Sequence, residues 1–212
     1  LLARLDPIQS MPVPVAAASD EGKDLTFTAK ISEGPLRWGQ LDMRMRARLR
    51  VGEWITLSTQ LECSLAMPGD DLVPTVVIAS PLGCAFAHAF VQARHARMAR
   101  GRSWVIAVGS DDATPPFESA FRTLHAAGAL GRFDVVRGAE WLKVVDPGIE
   151  ESLWRWIVDR SCLCLAIEDG DWSNQFIAWL TDLLMRRARL DHMGAVHRIR
   201  EFEQEGRLIR MT

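Results

Sequence analysis

The stretch Thr75-Val76-Val77-Ile78-Ala79, followed by Ser80-Pro81-Leu82-Gly83-Cys84 and by Ala85 to Met98, decides the reading of the fold. Five consecutive apolar or β-branched residues suit a strand buried on both faces. The Ser-Pro-Leu-Gly break then leads into a segment with helical spacing. The same alternation repeats downstream. Trp104-Val105-Ile106-Ala107-Val108 reads as a second strand before helical Phe117 to Ala127. Phe133-Asp134-Val135-Val136 is a third, ahead of a helix from Ile149 to Asp159, and Cys162 to Ile167 a fourth, ahead of a helical stretch from Trp172 to about Arg189. Strands separated by helices of this length predict an α/β fold with a parallel sheet covered on both faces.

Upstream the pattern differs. Pro7, Pro12, Pro14, Gly22, Gly34, Pro35 and Gly39 break residues 1–70 into short segments. Leu25 to Ile31 and Trp54 to Ser58 alternate with period two, which suits small antiparallel strands. Met67-Pro68-Gly69-Asp70-Asp71 supplies a turn between the two regions. The expected organisation is a β domain over residues 1–72 and an α/β domain over 73–212.

The 212 residues carry 25 Lys+Arg against 27 Asp+Glu, a net charge of −2, with 48% hydrophobic residues, eight Trp and no Tyr. That balance describes a globular chain with a real core and excludes bulk attraction to nucleic acid or to an anionic membrane surface. No apolar run reaches the roughly 18 residues of a membrane span. The cysteines, Cys63, Cys84, Cys162 and Cys164, lack both C-x-x-C spacing and the paired Cys/His spacing of a zinc site. Reduced cytoplasmic thiols are expected, with Cys162 and Cys164 on one side of a strand. The chain opens on Leu1 rather than Met and reads as a piece of something longer.

In an open α/β sheet, ligands bind beyond the carboxyl ends of the strands, so those loops carry the functional candidates. Ser80 to Cys84 offers a single glycine, Gly83, where a phosphate-cradling turn wants several, so a plain strand-to-helix turn is the favoured reading over a nucleotide signature. Gly109-Ser110-Asp111-Asp112 places two carboxylates where they would repel a phosphate and cap the next helix. Arg137 and Lys143, past the third strand, form either a cationic pair for a phosphate or two solvated side chains. Glu168-Asp169-Gly170-Asp171 suits a helix cap, because no distant residues complete a cation site. Arg44, Arg46, Arg48 and Arg50 alternate with apolar residues, either as a polyanion-binding face or as solvated charge. The basic runs Arg94 to Arg102 and Arg186 to Arg189 end helices, where they complement the dipole. No nucleophile–base pattern and no catalytic set emerges.

Taken in order, the segments resemble the carboxyl-terminal part of the ferredoxin–NADP reductase superfamily, and within it the diflavin reductases. Ala85-Phe86-Ala87-His88-Ala89-Phe90-Val91-Gln92-Ala93-Arg94 is similar to that family's A-P-F-R-A-F-L-Q-x-R helix, and Gly101-Arg102-Ser103-Trp104-Val105 to its G-x-x-W-L. Phe121 to Gly128 and Leu153-Trp154-Arg155-Trp156-Ile157 also fit, as does the close Glu205-Gly206-Arg207-Leu208 against E-G-R-Y. The resemblance implies a partial antiparallel β-barrel of flavin-domain type, then a Rossmann-like NADP-binding-type domain, with FAD and NADP(H) as cofactors where the family activity is kept.

The family's cofactor motifs are substituted. Its R-x-Y-S reads Ile8-Gln9-Ser10-Met11, and its pyrophosphate turn G-x-C-S-T reads Gly39-Gln40-Leu41-Asp42-Met43. G-T-G-I-A-P becomes Pro81-Leu82-Gly83-Cys84-Ala85-Phe86; the Arg of G-C-R falls on Asp111; C-G-D becomes Ala166-Ile167-Glu168. The terminal aromatic that shields the flavin is absent from Arg210-Met211-Thr212. Two of the missing tyrosines fall at cofactor positions, now Ser10 and Val145. Gly83, Ser110, Arg137 and Lys143 are left as candidates for an NADP-like phosphate site, with no catalytic and no metal-binding residue. The resemblance so altered implies a catalytically silent reductase-like module without cofactor, serving a structural or protein-binding role in a larger assembly. Any exposed Trp and the segment 44–50 are the expected partner surfaces. The alternatives are an active NAD(P)H-dependent flavin oxidoreductase and a nucleotide sensor.

Overall fold

The computed structural model describes the backbone of strands at 2–5, 13–18, 25–27, 30–32, 40–42 and 57–60, and residues 70–109, 114–137, 147–167 and 170–210, with the side chains of this second group apart from 170 and 171. The decisive stretch is strand β7 (Thr75–Ala79), followed by helix α1 (Gly83–Ala96). Then come β8 (Ser103–Gly109), α2 (Glu118–Ala126), β9 (Arg132–Arg137), α3 (Pro147–Val158), β10 (Cys162–Ala166), α4 (Gly170–Ala188), α5 (His192–Gln204) and β11 (Leu208–Arg210). The five strands form one sheet in the order β11-β10-β7-β8-β9, every neighbouring pair parallel.

Both faces are covered, which is why β7, β8 and β10 read as unbroken apolar runs. Val76, Ile78, Trp104, Ile106, Leu163 and Leu165 face one core with Leu153 and Ile157 of α3, Phe176, Leu180 and Leu184 of α4 and Ile199 and Phe202 of α5. The alternate residues, Val77, Ala79, Val105, Ala107, Cys164 and Ala166, face the other with Cys84, Ala87, Phe90 and Val91 of α1 and Phe121 of α2. Cys162 and Cys164 are buried free thiols, as the apolar run implies, and Cys84 is buried as well.

The chain steps outward from β7 to β8 to β9, then crosses back by α3 to β10 on the other side of β7. The order therefore reverses between β7 and β10. That is the topological switch point at which open α/β sheets hold their ligands.

The carboxyl-terminal elements differ from the sequence expectation. A single helix ending near Arg189 is followed by a second, α5, and an edge strand. Arg189 takes a left-handed conformation (φ 56°), which ends α4. Asp191 then caps α5, its Oδ1 accepting from the Gly194 N–H at 2.7 Å. Asp191 ahead of Ala195, Ile199 and Phe202 was the available signal. At α1 the helix starts at Gly83 and ends at Ala96, because Met98 is left-handed (φ 54°).

In the first region, strands β1 (Leu2–Leu5), β2 (Val13–Ala18), β3 (Leu25–Phe27) and β6 (Leu57–Gln60) form an antiparallel sheet in the order β3-β2-β1-β6. β4 (Lys30–Ser32) and β5 (Gln40–Asp42) pair in parallel. The expected strand from Leu25 to Ile31 is thus two strands, because the chain changes partner after Phe27. The described strands of this region show an antiparallel sheet and do not show the expected partial barrel. The run of Arg44 to Arg50 lies outside the described residues, as do Ser10 and Lys143.

Candidate functional site

The β7–α1 turn stands at the switch point. Ser80 N–H and its hydroxyl Oγ both donate to the Ala166 carbonyl at the end of β10, at 3.1 and 3.3 Å. Gly83 packs against the same carbonyl: a Cβ there would lie 1.7 Å from the Ala166 oxygen. Close helix–strand approach is one of the roles a glycine takes in dinucleotide-binding turns, separate from admitting a phosphate to the backbone. At Gly83 the geometry is that of the packing role.

The amides that open α1 are engaged within the turn. Gly83 N–H donates to Ser80 Oγ at 3.2 Å, Cys84 N–H to the Ser80 carbonyl at 2.9 Å and Ala85 N–H to the Leu82 carbonyl at 3.2 Å. A helix N-terminus binds an anion through amides that lack internal partners. Here three successive amides have them.

Of the other candidates, Arg137 ends β9, exposed, in register with Gly109 at the end of β8. Ser110 and Lys143 lie outside the described residues, as do Asp111, Asp112, Glu168 and Asp169, so Gly83 and Arg137 are the two candidates with a described place. Both are at the carboxyl edge of the sheet, on opposite sides of β8. The face of the sheet covered by α1 and α2 carries an aromatic group that sequence reasoning did not single out. His88, buried on α1, stacks on Phe117 at 5.0 Å and meets Phe121 edge-on at 5.8 Å, and Phe121 stacks on Phe133 at 5.1 Å. Phe117 is left-handed (φ 63°), an uncommon state for a bulky residue. Among the described residues no group of three His, Cys, Asp or Glu is placed to hold a metal ion.

The framework motifs prove to be packing devices. Arg94 was read as complementing the α1 dipole; instead it is 2% exposed. Its Nη2 donates to the carbonyls of Gly101, Val73 and Asp71 at 2.9, 3.1 and 3.3 Å, and its guanidinium lies 5.6 Å from the Phe90 ring centre. Gly101 leaves room for that guanidinium, since a Cβ there would come within 2.5 Å of Nη2. Burial lowers the pKa of Arg94 from its ordinary value, partly offset by the nearby Asp71 carboxylate.

Trp104 is fully buried, donates from Nε1 to Asp134 Oδ2 at 2.7 Å and carries the Arg132 guanidinium over its ring at 4.3 Å. Arg207 donates to the Ile157 carbonyl at 2.7 Å and covers the Phe202 ring at 4.5 Å, next to left-handed Gly206 (φ 66°). Desolvation lowers the pKa of Arg207 as well. Burial pushes the Cys162 thiol up to about 12 and the Cys164 thiol higher still. These thiols are inert core residues, since reactivity needs the thiolate. Arg186 and Arg187 pair with Glu150 and Glu151. No described Trp is exposed: Trp154, Trp156, Trp172 and Trp179 pack on the core, so none offers the partner surface that sequence suggested.

Fold and site together define a parallel five-stranded α/β domain of Rossmann-like type, with reductase framework motifs at its structural joints. No family model matches the chain. It is similar to the sulfite reductase (NADPH) flavoprotein alpha-component of Neisseria meningitidis serogroup B, 25% identical over 203 residues, which are 91% of this chain and 33% of that protein. It is also similar to the proteins of the same name from Baumannia cicadellinicola (24% over 209 residues; 92% and 35%) and Vibrio vulnificus (26% over 138 residues; 62% and 22%). The chain is a distant homologue of these diflavin reductase components and spans about a third of the length of the first two. Among the described residues no helix is long and apolar enough to cross a membrane.

Proposed function

We propose that residues 1–72 and 73–212 are a remnant flavin-domain-like β unit and a nucleotide-binding-type α/β unit of a reductase-derived module that has lost flavin binding and hydride transfer. Its role is structural or protein-binding, within a larger cytoplasmic assembly. The observation that carries this reading is the β7–α1 turn: the amides of Gly83, Cys84 and Ala85 are engaged internally, and Ser80 and Gly83 close on Ala166. A turn so held does not fit a dinucleotide diphosphate, which needs free donors, each charge-assisted bond being worth about 1.5–3 kcal/mol. The substitutions at Asp42, Asp111 and Ala166 point the same way. The relatives are named alpha-components, which supports membership of an assembly.

A second reading, a nucleotide sensor, is supported by Arg137, exposed at a strand end on the ligand-binding edge, with Gly83, Ser110 and Lys143 completing the phosphate site. The relatives' printed names would favour a third, an active NADPH-dependent flavoprotein.

Binding measurements separate these. The chain mixed with excess FAD and passed through gel filtration emerges colourless on the proposed reading and yellow on the third. A thermal shift with NADP⁺ that is absent in Lys143→Ala would establish the sensor in its place.

A further inference from the structure

Helix α1 is buried on more than the face it turns to the sheet. Cys84, Ala87, Phe90 and Val91 pack on the strands. At about 3.6 residues per turn, Ala85, Ala89 and Ala93 stand on the opposite side of the helix. Ala85 is nonetheless fully buried (0% exposed), Ala89 is half-buried and Ala93 is exposed. The outer face is therefore covered over the amino-terminal half of α1 and open beyond it.

The cover comes from the first region of the chain. Besides the sheet strands β7, β8 and β10, the element against which α1 packs is β2 (Val13–Ala18), and the two backbones run closer together than α1 runs to any of those strands. A helix and a strand approach so closely only where small side chains stand between them. Ala85 and Ala89 supply these on α1, and β2 reads Val13-Pro14-Val15-Ala16-Ala17-Ala18, half of it alanine. Both edges of β2 are already paired, with β1 and with β3. What rests on α1 is thus a face of the antiparallel sheet and not a free strand edge, and α1 is a layer between two sheets.

We infer that the outer face of α1 is an internal docking surface whose occupant is β2, and that this contact joins residues 1–72 and 73–212 into one cooperative unit. The inference goes beyond the loss of cofactor chemistry and does not depend on it. It gives the β unit a use that needs no flavin. Without β2, Ala85 and Ala89 would face water on the helix that carries the Gly83–Ala166 closure, and burial of apolar surface is what holds a helix to its neighbours. A module kept for its framework would therefore keep these strands even after their ligand was lost.

Native-state hydrogen exchange of the full 212-residue chain, read by mass spectrometry and without any cofactor, tests this. In the wild type, peptides spanning β2 are protected together with those spanning Gly83–Phe90. Ala85→Glu sets a carboxylate under β2, while a carboxylate in the first turn suits the helix itself. Peptides spanning β2 then exchange about tenfold faster or more, and those of β8 and β10 stay as slow as in the wild type. Ala89→Glu, at the margin of the cover, acts in the same direction but less strongly, and Ala93→Glu, beyond it, has no effect. A β2 that exchanges without protection in the wild type, or protection there that neither Ala85→Glu nor Ala89→Glu changes, overturns the inference.

Discussion

Arg94 is where the account can be struck hardest. Replacing it with Met keeps an unbranched stem against Phe90 and removes the guanidinium. Of the three carbonyls it serves, that of Asp71 keeps the Gly101 N–H at 2.7 Å and that of Val73 keeps the Thr75 hydroxyl at 3.3 Å. The Gly101 carbonyl is left without a partner among the described residues. An orphaned buried carbonyl costs about 1–3 kcal/mol, and the lost cation–π contact adds roughly 0.5–2 kcal/mol. Relief from burying the charge offsets part of this. The expected net loss is about 3 kcal/mol, which for a domain of this size lowers Tm by roughly 6–12 °C. Arg94→Lys, which keeps a cation near the carbonyls, should recover part of the loss. Urea denaturation followed by circular dichroism reads the change as a lower midpoint at constant m. A midpoint unchanged in Arg94→Met would refute the claim that this framework arginine is kept for packing.

Gly83→Ala forces a Cβ into the Ala166 carbonyl, 1.7 Å away, where backbone rather than a flexible side chain would have to give. The cost should reach the upper end of overpacking penalties, about 3 kcal/mol, seen as a lower Tm without any ligand present. An unchanged Tm would mean the turn opens easily. The buried thiols predict an alkaline limit. A thiol whose pKa is raised on folding contributes stability that is complete below its unfolded value of 9.0 and is lost as pH rises towards about 12 for Cys162. Stability should fall above about pH 9 by up to ~1.4 kcal/mol per pH unit for each thiol. Cys162→Ala should flatten that decline, and an equal slope in the variant would contradict it.

The parallel sheet was legible because burial on both faces leaves an unmistakable mark: Val76 to Ala79 and Cys162 to Ala166 admit no polar residue. Helix ends were less so. Met98, Arg160 and Arg189 take left-handed conformations with side chains that do not advertise them. α5 escaped because its apolar residues, Ala195, Ile199 and Phe202, are sparse among charges, and its Asp191 cap was the lone strong signal. At the site, residues 80–84 read as a plain strand-to-helix turn in preference to a phosphate turn, but the contact that Gly83 makes is with Ala166, a residue 83 positions away that no local pattern connects to it. Arg94 was likewise assigned to its own helix dipole, while its partners are the carbonyls of Asp71, Val73 and Gly101 on neighbouring segments. Local spacing reveals which residues a helix or strand needs. It does not reveal which carbonyl folds back onto them.

The proposed function has a reductase-like framework persisting for its packing without the chemistry. The most direct measurement is anaerobic addition of NADPH to the chain in the presence of FAD, followed by the visible absorption spectrum. The account predicts the spectrum of free FAD, unbleached beyond the rate seen without protein. A protein-bound flavin band that NADPH bleaches would contradict it.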